Sequence, residues 1–242
     1  MGMDLQLARM PGKNRIGIFF LTSPITRPMM SRKPNTLIKP APVAVCVCLA
    51  VFLVSGCMTP PPKAPENVCG IFEEKRSWYR AAQRARDRWK SPVGITMSFI
   101  YQESGFRANS RPERQRLLGV IPWKRKSSAK GYAQAIDSTW KQYAKDAGDW
   151  FPDRTNFQDA VDFVGWYNYQ SQRNLGISRT DAKSLYLAYH EGWRGYRNRT
   201  YDKKPWLIEA AGRVEKRAHR YQMQYLKCKK KLRRWYDFLF TG

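Results

Sequence analysis

Three short pieces of the chain carry the residue types that acid catalysis needs. They are Tyr101-Gln102-Glu103-Ser104-Gly105-Phe106, Gly131-Tyr132-Ala133-Gln134 and Ala188-Tyr189-His190-Glu191-Gly192. Glu103 follows the apolar run Ile95-Thr96-Met97-Ser98-Phe99-Ile100, which places it where a buried helix meets a cleft. A carboxyl at such a boundary loses part of its hydration, its pKa rises, and it keeps its proton near neutral pH. That is the state in which a general acid protonates a glycosidic oxygen. The plainer reading, a surface Glu near a helix C-terminus, is weakened because a negative charge there opposes the helix dipole. With two histidines in 242 residues, no metal-ligand spacing, phosphate loop or nucleophile triad is found, and no metal site or cofactor is expected.

The elements that position these pieces read as helices. Trp78, Ala82, Ala85 and Trp89 follow the spacing of one helix face, with Arg and Lys on the other. Ser91-Pro92 suits an N-cap and a first helical position, opening a helix over about Val93 to Tyr101 that ends at Gly105. Residues 105–129, rich in Arg, Ser, Pro and Lys, read as a long loop. A short helix follows from about Ser138 to Ala147, with Asp137 as its cap. A better one carries Phe157, Val161 and Val164 and ends before Gly176, with Asp162 on its solvated face. Thr180 caps the next, which stops at Gly192, and residues 192–204 read as a loop. From Pro205 a long helix carries Leu207, Ala211, Val214, Ala218, Tyr221, Tyr225, Cys228 and Leu232 on one stripe. The expectation is an all-α fold, one domain over 68–236 followed by a tail over 237–242, with long loops that serve function.

Taken together, the three pieces resemble the soluble lytic transglycosylase family, whose fold is like goose-type lysozyme. The family shows Glu-Ser at the end of an apolar helix, then Gly-Leu-Met-Gln, then Ala-Tyr-Asn, in this order. The resemblance covers residues 90–200. It implies a peptidoglycan lytic transglycosylase in which Glu103 is the sole catalytic acid. Glu103 would protonate the oxygen between N-acetylmuramic acid and N-acetylglucosamine, and its carboxylate would then take the proton of the muramoyl 6-hydroxyl as a 1,6-anhydro ring closes. The resemblance further implies that Ser104 orients Glu103 or bonds the sugar, that Gln134 binds substrate, and that Tyr189 stands beside the acid. Tyr132 and Ala133 replace Leu and Met, which alters that wall of the cleft and adds a ring to it. His190 replaces Asn and either bonds sugar or caps the helix end. Glu191 replaces a small residue: it activates water, making a muramidase of the same fold, or is structural, paired with a nearby arginine. A third reading is a wall-binding scaffold without turnover. Of the aromatics (Trp123, Trp140, Trp150, Trp166, Tyr167, Trp193, Tyr196), most suit a core, with Trp193 and Tyr196 the candidates for stacking on sugar.

The N-terminus reads as a targeting signal. Residues 41–55, APVAVCVCLAVFLVS, carry no charge and follow Arg32, Lys33 and Lys39. The run is too short for a spanning helix, which disfavours an uncleaved anchor. Val54-Ser55-Gly56-Cys57 resembles a bacterial lipobox, which implies cleavage after residue 56 and lipidation of Cys57. Translation from Met29 or Met30 would give a signal of ordinary length. Residues 58–66, MTPPPKAPE, read as an extended tether, so that 57–67 link the lipid to the domain. Met58 after the lipidated Cys resembles the pattern sorted to the outer membrane, facing the periplasm. Cys46 and Cys48 leave with the signal, so Cys69 and Cys228 remain as a pair. Outside the cytoplasm a disulfide is the expectation, a buried free Cys228 the alternative. The 44 Lys and Arg against 19 Asp and Glu give +25; removing residues 1–56 takes away seven basic side chains and one acidic, leaving +19. Such a surplus suits the acidic stems of peptidoglycan and anionic phospholipid. Nucleic acid is not an expected partner, and the protein is expected to be a monomer.

Overall fold

The computed structural model describes residues 59–117, 121–125, 127–146 and 151–240, and of 114–117, 121–125 and 234–240 the backbone alone. The signal segment, the lipobox and Cys57 lie outside the described residues. Seven helices are present among them: α1 Val68–Glu74, α2 Arg76–Trp89, α3 Val93–Ser104, α4 Asp137–Asp146, α5 Phe157–Leu175, α6 Ala182–Arg197 and α7 Pro205–Phe240. A 3-10 turn, Thr200–Lys203, precedes α7. No helix among the described residues is long and apolar enough to cross a membrane.

The helix that organises the rest is α3. Its sequence is apolar on every side, and Val93 through Ile100 are all buried, as expected for a helix with no solvated face. It packs chiefly against α7, while α2 lies on α5. The α3–α7 approach is close because Gly94 has no side chain: a Cβ there would stand 2.5 Å from the Ala218 carbonyl oxygen and 2.7 Å from the Gln222 nitrogen. The same contact uses the free amide of Gly94, which donates to Gln222 Oε1 at 3.1 Å and so satisfies one donor of the first turn. Pro92, in extended conformation, is the N-cap rather than the first helical residue. Ser91 is buried and its hydroxyl pairs with Thr96 Oγ1 at 3.2 Å, so it serves packing instead of capping.

The expected face of α2 is present, with Trp78, Ala82 and Ala85 buried. Trp78 stacks on Phe157 of α5 with ring centroids 3.7 Å apart. The cap of α6 is Asp181, accepting from the Ser184 amide at 2.9 Å, in place of Thr180. Two loops of the sequence reading contain ordered backbone. Within 105–129, Arg114–Leu117 and Ile121–Arg125 pair as an antiparallel hairpin with an irregular register between Arg114 and Arg116. Beyond Gly192, whose φ of 72° and ψ of 163° break α6, helical geometry resumes to Arg197. Neither segment shows an apolar repeat, so composition alone reads as loop.

Asp162 is not on a solvated face: it accepts from Trp89 Nε1 at 2.9 Å, Arg88 at 3.0 Å and Tyr143 at 3.0 Å, tying α2, α4 and α5 together. Asp137 begins α4 and pairs with Arg154 at 2.7 Å. The stretch read as a tether is docked over its described part. Tyr221 donates to the Pro65 carbonyl, Gln224 Nε2 to the Glu66 carbonyl at 3.2 Å, and Glu66 pairs with Arg220. Immediately after it, Cys69 of α1 is joined to Cys228 of α7, 159 positions later. Closing so long a loop restricts the unfolded chain, so reduction is expected to lower the unfolding free energy by about 3–5 kcal/mol in urea melts.

Candidate active site

The three pieces converge on one cleft of about 550 Å³. Glu103, in the last turn of α3, supplies its floor. Phe163 and Tyr167 of α5 and Tyr189 of α6 form an aromatic wall, and Gln134, Ile136, His190 and Glu191 stand around the opening. Burial pushes the Glu103 carboxyl up to about 7, although a hydrogen bond from the Tyr186 hydroxyl favours its charged form and holds the rise in check. Tyr186 and Tyr189 are one turn apart on α6, and both rings meet Phe99 of α3 edge-on, at 5.2 and 5.4 Å. Apolar and aromatic surfaces therefore surround the acid, with one phenol as its hydrogen-bonding partner.

Tyr189 stands beside the acid, as the resemblance implied. Its hydroxyl donates to the Ala133 carbonyl at 2.5 Å, and burial together with the Glu103 charge drives its pKa well above the ordinary value. It is thus a neutral phenol whose proton is engaged with the second piece of the motif. That piece is a tight turn. Gly131 has φ +82°, and a Cβ on it would fall 1.9 Å from the Arg154 carbonyl oxygen, so no other residue fits. Gln134 lies in the left-handed region at φ 48°, and its Nε2 donates to the carbonyls of Ser110 at 2.9 Å and Gly131 at 2.8 Å. With both amide hydrogens committed, the group Gln134 offers a ligand is its carbonyl oxygen, an acceptor for a hydroxyl or an N–H.

Two expected site residues are elsewhere. Ser104 is buried and donates to the Ile100 carbonyl at 3.0 Å, back-bonding its own helix instead of reaching Glu103 or the cleft. Tyr132 is 1% exposed and packs edge-on against Trp78 and Phe157 at 5.6 and 5.3 Å. It fills the core behind the turn and adds no ring to the cleft. Trp193 also turns inward, with Nε1 donating to Ser171 at 3.1 Å and its ring 5.3 Å from Tyr167. Tyr196 packs on Tyr201 at 5.4 Å.

His190 lies on the cleft rim, its ring 5.1 Å from the exposed Trp206 at a steep angle. Its Nδ1 is 3.1 Å from Glu191 Oε1. Glu191 is ion-paired, with a lysine and not an arginine as its partner: Lys204 Nζ lies 2.7 and 2.9 Å from its two oxygens, and Thr200 donates to Oε2. Burial opposes its charge, but the hydrogen bonds of Lys204, Thr200 and His190 outweigh that and hold the carboxyl below the ordinary carboxylate range. The cleft therefore holds one carboxyl biased toward the acid form and one fixed as the anion. Sequence reasoning missed Tyr186 and Trp206; the helical spacing of Tyr186 to Tyr189 was the signal for the first, and nothing in the pattern marked the second.

A cleft in a helical domain, with a carboxyl on its floor held near neutral titration, is what these features define. A family profile described as Transglycosylase SLT domain matches residues 45–228, and the chain belongs to that family, one of peptidoglycan lytic transglycosylases. A search of curated proteins and a search of solved structures return no match.

Two outcomes test the acid directly. The native carboxyl holds its proton up to about pH 7, whereas 4.5 is its ordinary value. The folded state thus binds more protons in that window, and stability falls as pH rises through it. Glu103→Gln removes the effect, so the variant is expected to match the parent at pH 4 and to exceed it at pH 8 by up to about 3 kcal/mol in denaturant melts. Tyr186→Phe deletes the one donor that favours the anion, and the carboxyl titration followed by carbon NMR is expected to move above pH 7.

Proposed function

We propose that the protein cleaves the β-1,4 bond between N-acetylmuramic acid and N-acetylglucosamine in peptidoglycan and releases 1,6-anhydromuramoyl ends. The observation that carries this reading is the Glu103 carboxyl on the cleft floor, held near neutral titration by burial. Protonated Glu103 gives its proton to the glycosidic oxygen as the C1–O bond breaks. The resulting carboxylate takes the proton of the muramoyl 6-hydroxyl while that oxygen bonds C1. The acid is regenerated, and neither water nor a second carboxylate enters the balance. Tyr189 and Tyr186 keep the acid in a low-dielectric wall, Gln134 accepts a hydrogen bond from sugar, and His190 contacts the glycan at the rim.

A hydrolytic outcome has one observation in its favour, the Glu191 carboxylate in the same cleft. Its ion pair with Lys204 and its hydrogen bond from Thr200 favour a structural part, holding His190 in place. The proposal extends to the setting: a monomer tethered through lipid on Cys57 to the outer membrane, its domain in the periplasm and its substrate the wall.

Mass spectrometry of digested sacculi tests the reaction. Anhydro-muropeptides are the expected product. Reducing ends alone would replace the reaction with hydrolysis, and no release above background would leave a binding scaffold. Glu103→Gln is expected to reduce turnover by about 10²–10⁴-fold with wall binding retained; undiminished turnover would remove Glu103 from its role.

A further inference from the structure

The outer face of α7 carries a pattern that the cleft does not use. Lys216, Arg220, Met223, Leu226, Lys227 and Lys230 are all exposed and, at 100° per residue, share about one third of the helix circumference. Met223 and Leu226 are 47% and 43% exposed and lie one turn apart among these cations. From Lys216 to Lys230 the sequence contains no acidic residue. Basic side chains flanking an apolar pair along one helix face are the composition of a surface that lies in a lipid headgroup layer, the cations on phosphates and the apolar pair between them.

Geometry gives the face a direction. The segment that leads into the domain ends on the same part of α7, where Tyr221 and Gln224 hold Pro65 and Glu66 and Arg220 pairs with Glu66. One rim residue of the cleft, His190, meets Trp206 at the opposite end of the helix from Lys230. From Trp206 to Lys227 the helix rises about 30 Å. We infer that the Lys216–Lys230 face of α7 docks on an anionic lipid bilayer, holding the domain with the His190–Trp206 rim of its cleft directed away from the membrane toward the wall. This orientation rests on the membrane setting proposed above. The contact itself depends on charge and apolar surface alone.

The test is lysine footprinting of the full chain by acylation and mass spectrometry, with vesicles of phosphatidylcholine or of an equal mixture of phosphatidylcholine and phosphatidylglycerol. Lys216, Lys227 and Lys230 are expected to react about fivefold more slowly with the anionic vesicles. Lys203, exposed at the cleft end of α7, is expected to be unchanged. Leu226→Asp is expected to abolish the protection while leaving glycan turnover intact, which shows that the variant folds. Equal rates in the two vesicle types would overturn the proposal. So would equal slowing of Lys203, or protection by soluble heparin as strong as by vesicles, which would mark a general polyanion surface. Retention on pure phosphatidylcholine vesicles and the acyl mass on the Cys57 peptide read the lipid anchor separately. Loss of those with anionic protection intact would refute the anchor and leave the docking face standing.

Discussion

Keeping a carboxylate out of water is the constraint on which the site depends. The last turn of α3 emerges from a core that buries Val93 through Ile100, and Glu103 follows them to the edge. Ionising it there is costly because rings of Phe99, Tyr186 and Tyr189 crowd the α3 end that carries it and strip part of its hydration. The tyrosine that donates to it moderates the effect, so the group titrates near neutrality instead of far above it. That balance requires α3 to stay where it is. The glycine contact with α7, the Gly94–Gln222 hydrogen bond and the clasp between Cys69 and Cys228 all hold α3 and its neighbours in place.

Two acidic residues share the cleft, and their surroundings separate them. Glu103 has a phenol donor, Tyr186, whereas Glu191 has a lysine, a threonine hydroxyl and an imidazole. Environments that push two carboxyls in opposite directions divide the work between them. In this cleft one carboxyl is biased toward its acid form, and the charged member ties the helix break at Gly192 to Lys204 just before α7.

Much of this was legible from residue order. The apolar run before Glu103 indicated burial, and the stripe on α7 predicted which residues face the core, because helical periodicity records one-sided burial directly. What escaped was whatever depends on direction instead of spacing. A serine after a catalytic acid reads as a partner, yet its hydroxyl found the carbonyl one turn back. Tyr132 sits within the motif but faces the core, since the turn at Gly131 sends its side chain toward Trp78. Asp162 reads as solvated because its partners, Trp89 and Tyr143, come from other helices. The hairpin within 105–129 and the helix beyond Gly192 lack the repeats that would announce them.

The clasp between the ends of the domain also has a consequence in time. A ribosome adds about 5–20 residues per second, so Cys69 precedes a mate 159 positions downstream by roughly 8–30 s. Throughout that interval the nearest thiol-bearing position in the sequence is Cys57, twelve residues behind it. Native pairing therefore waits until nearly the whole domain has been made, and a companion already blocked at position 57 would remove its quickest rival.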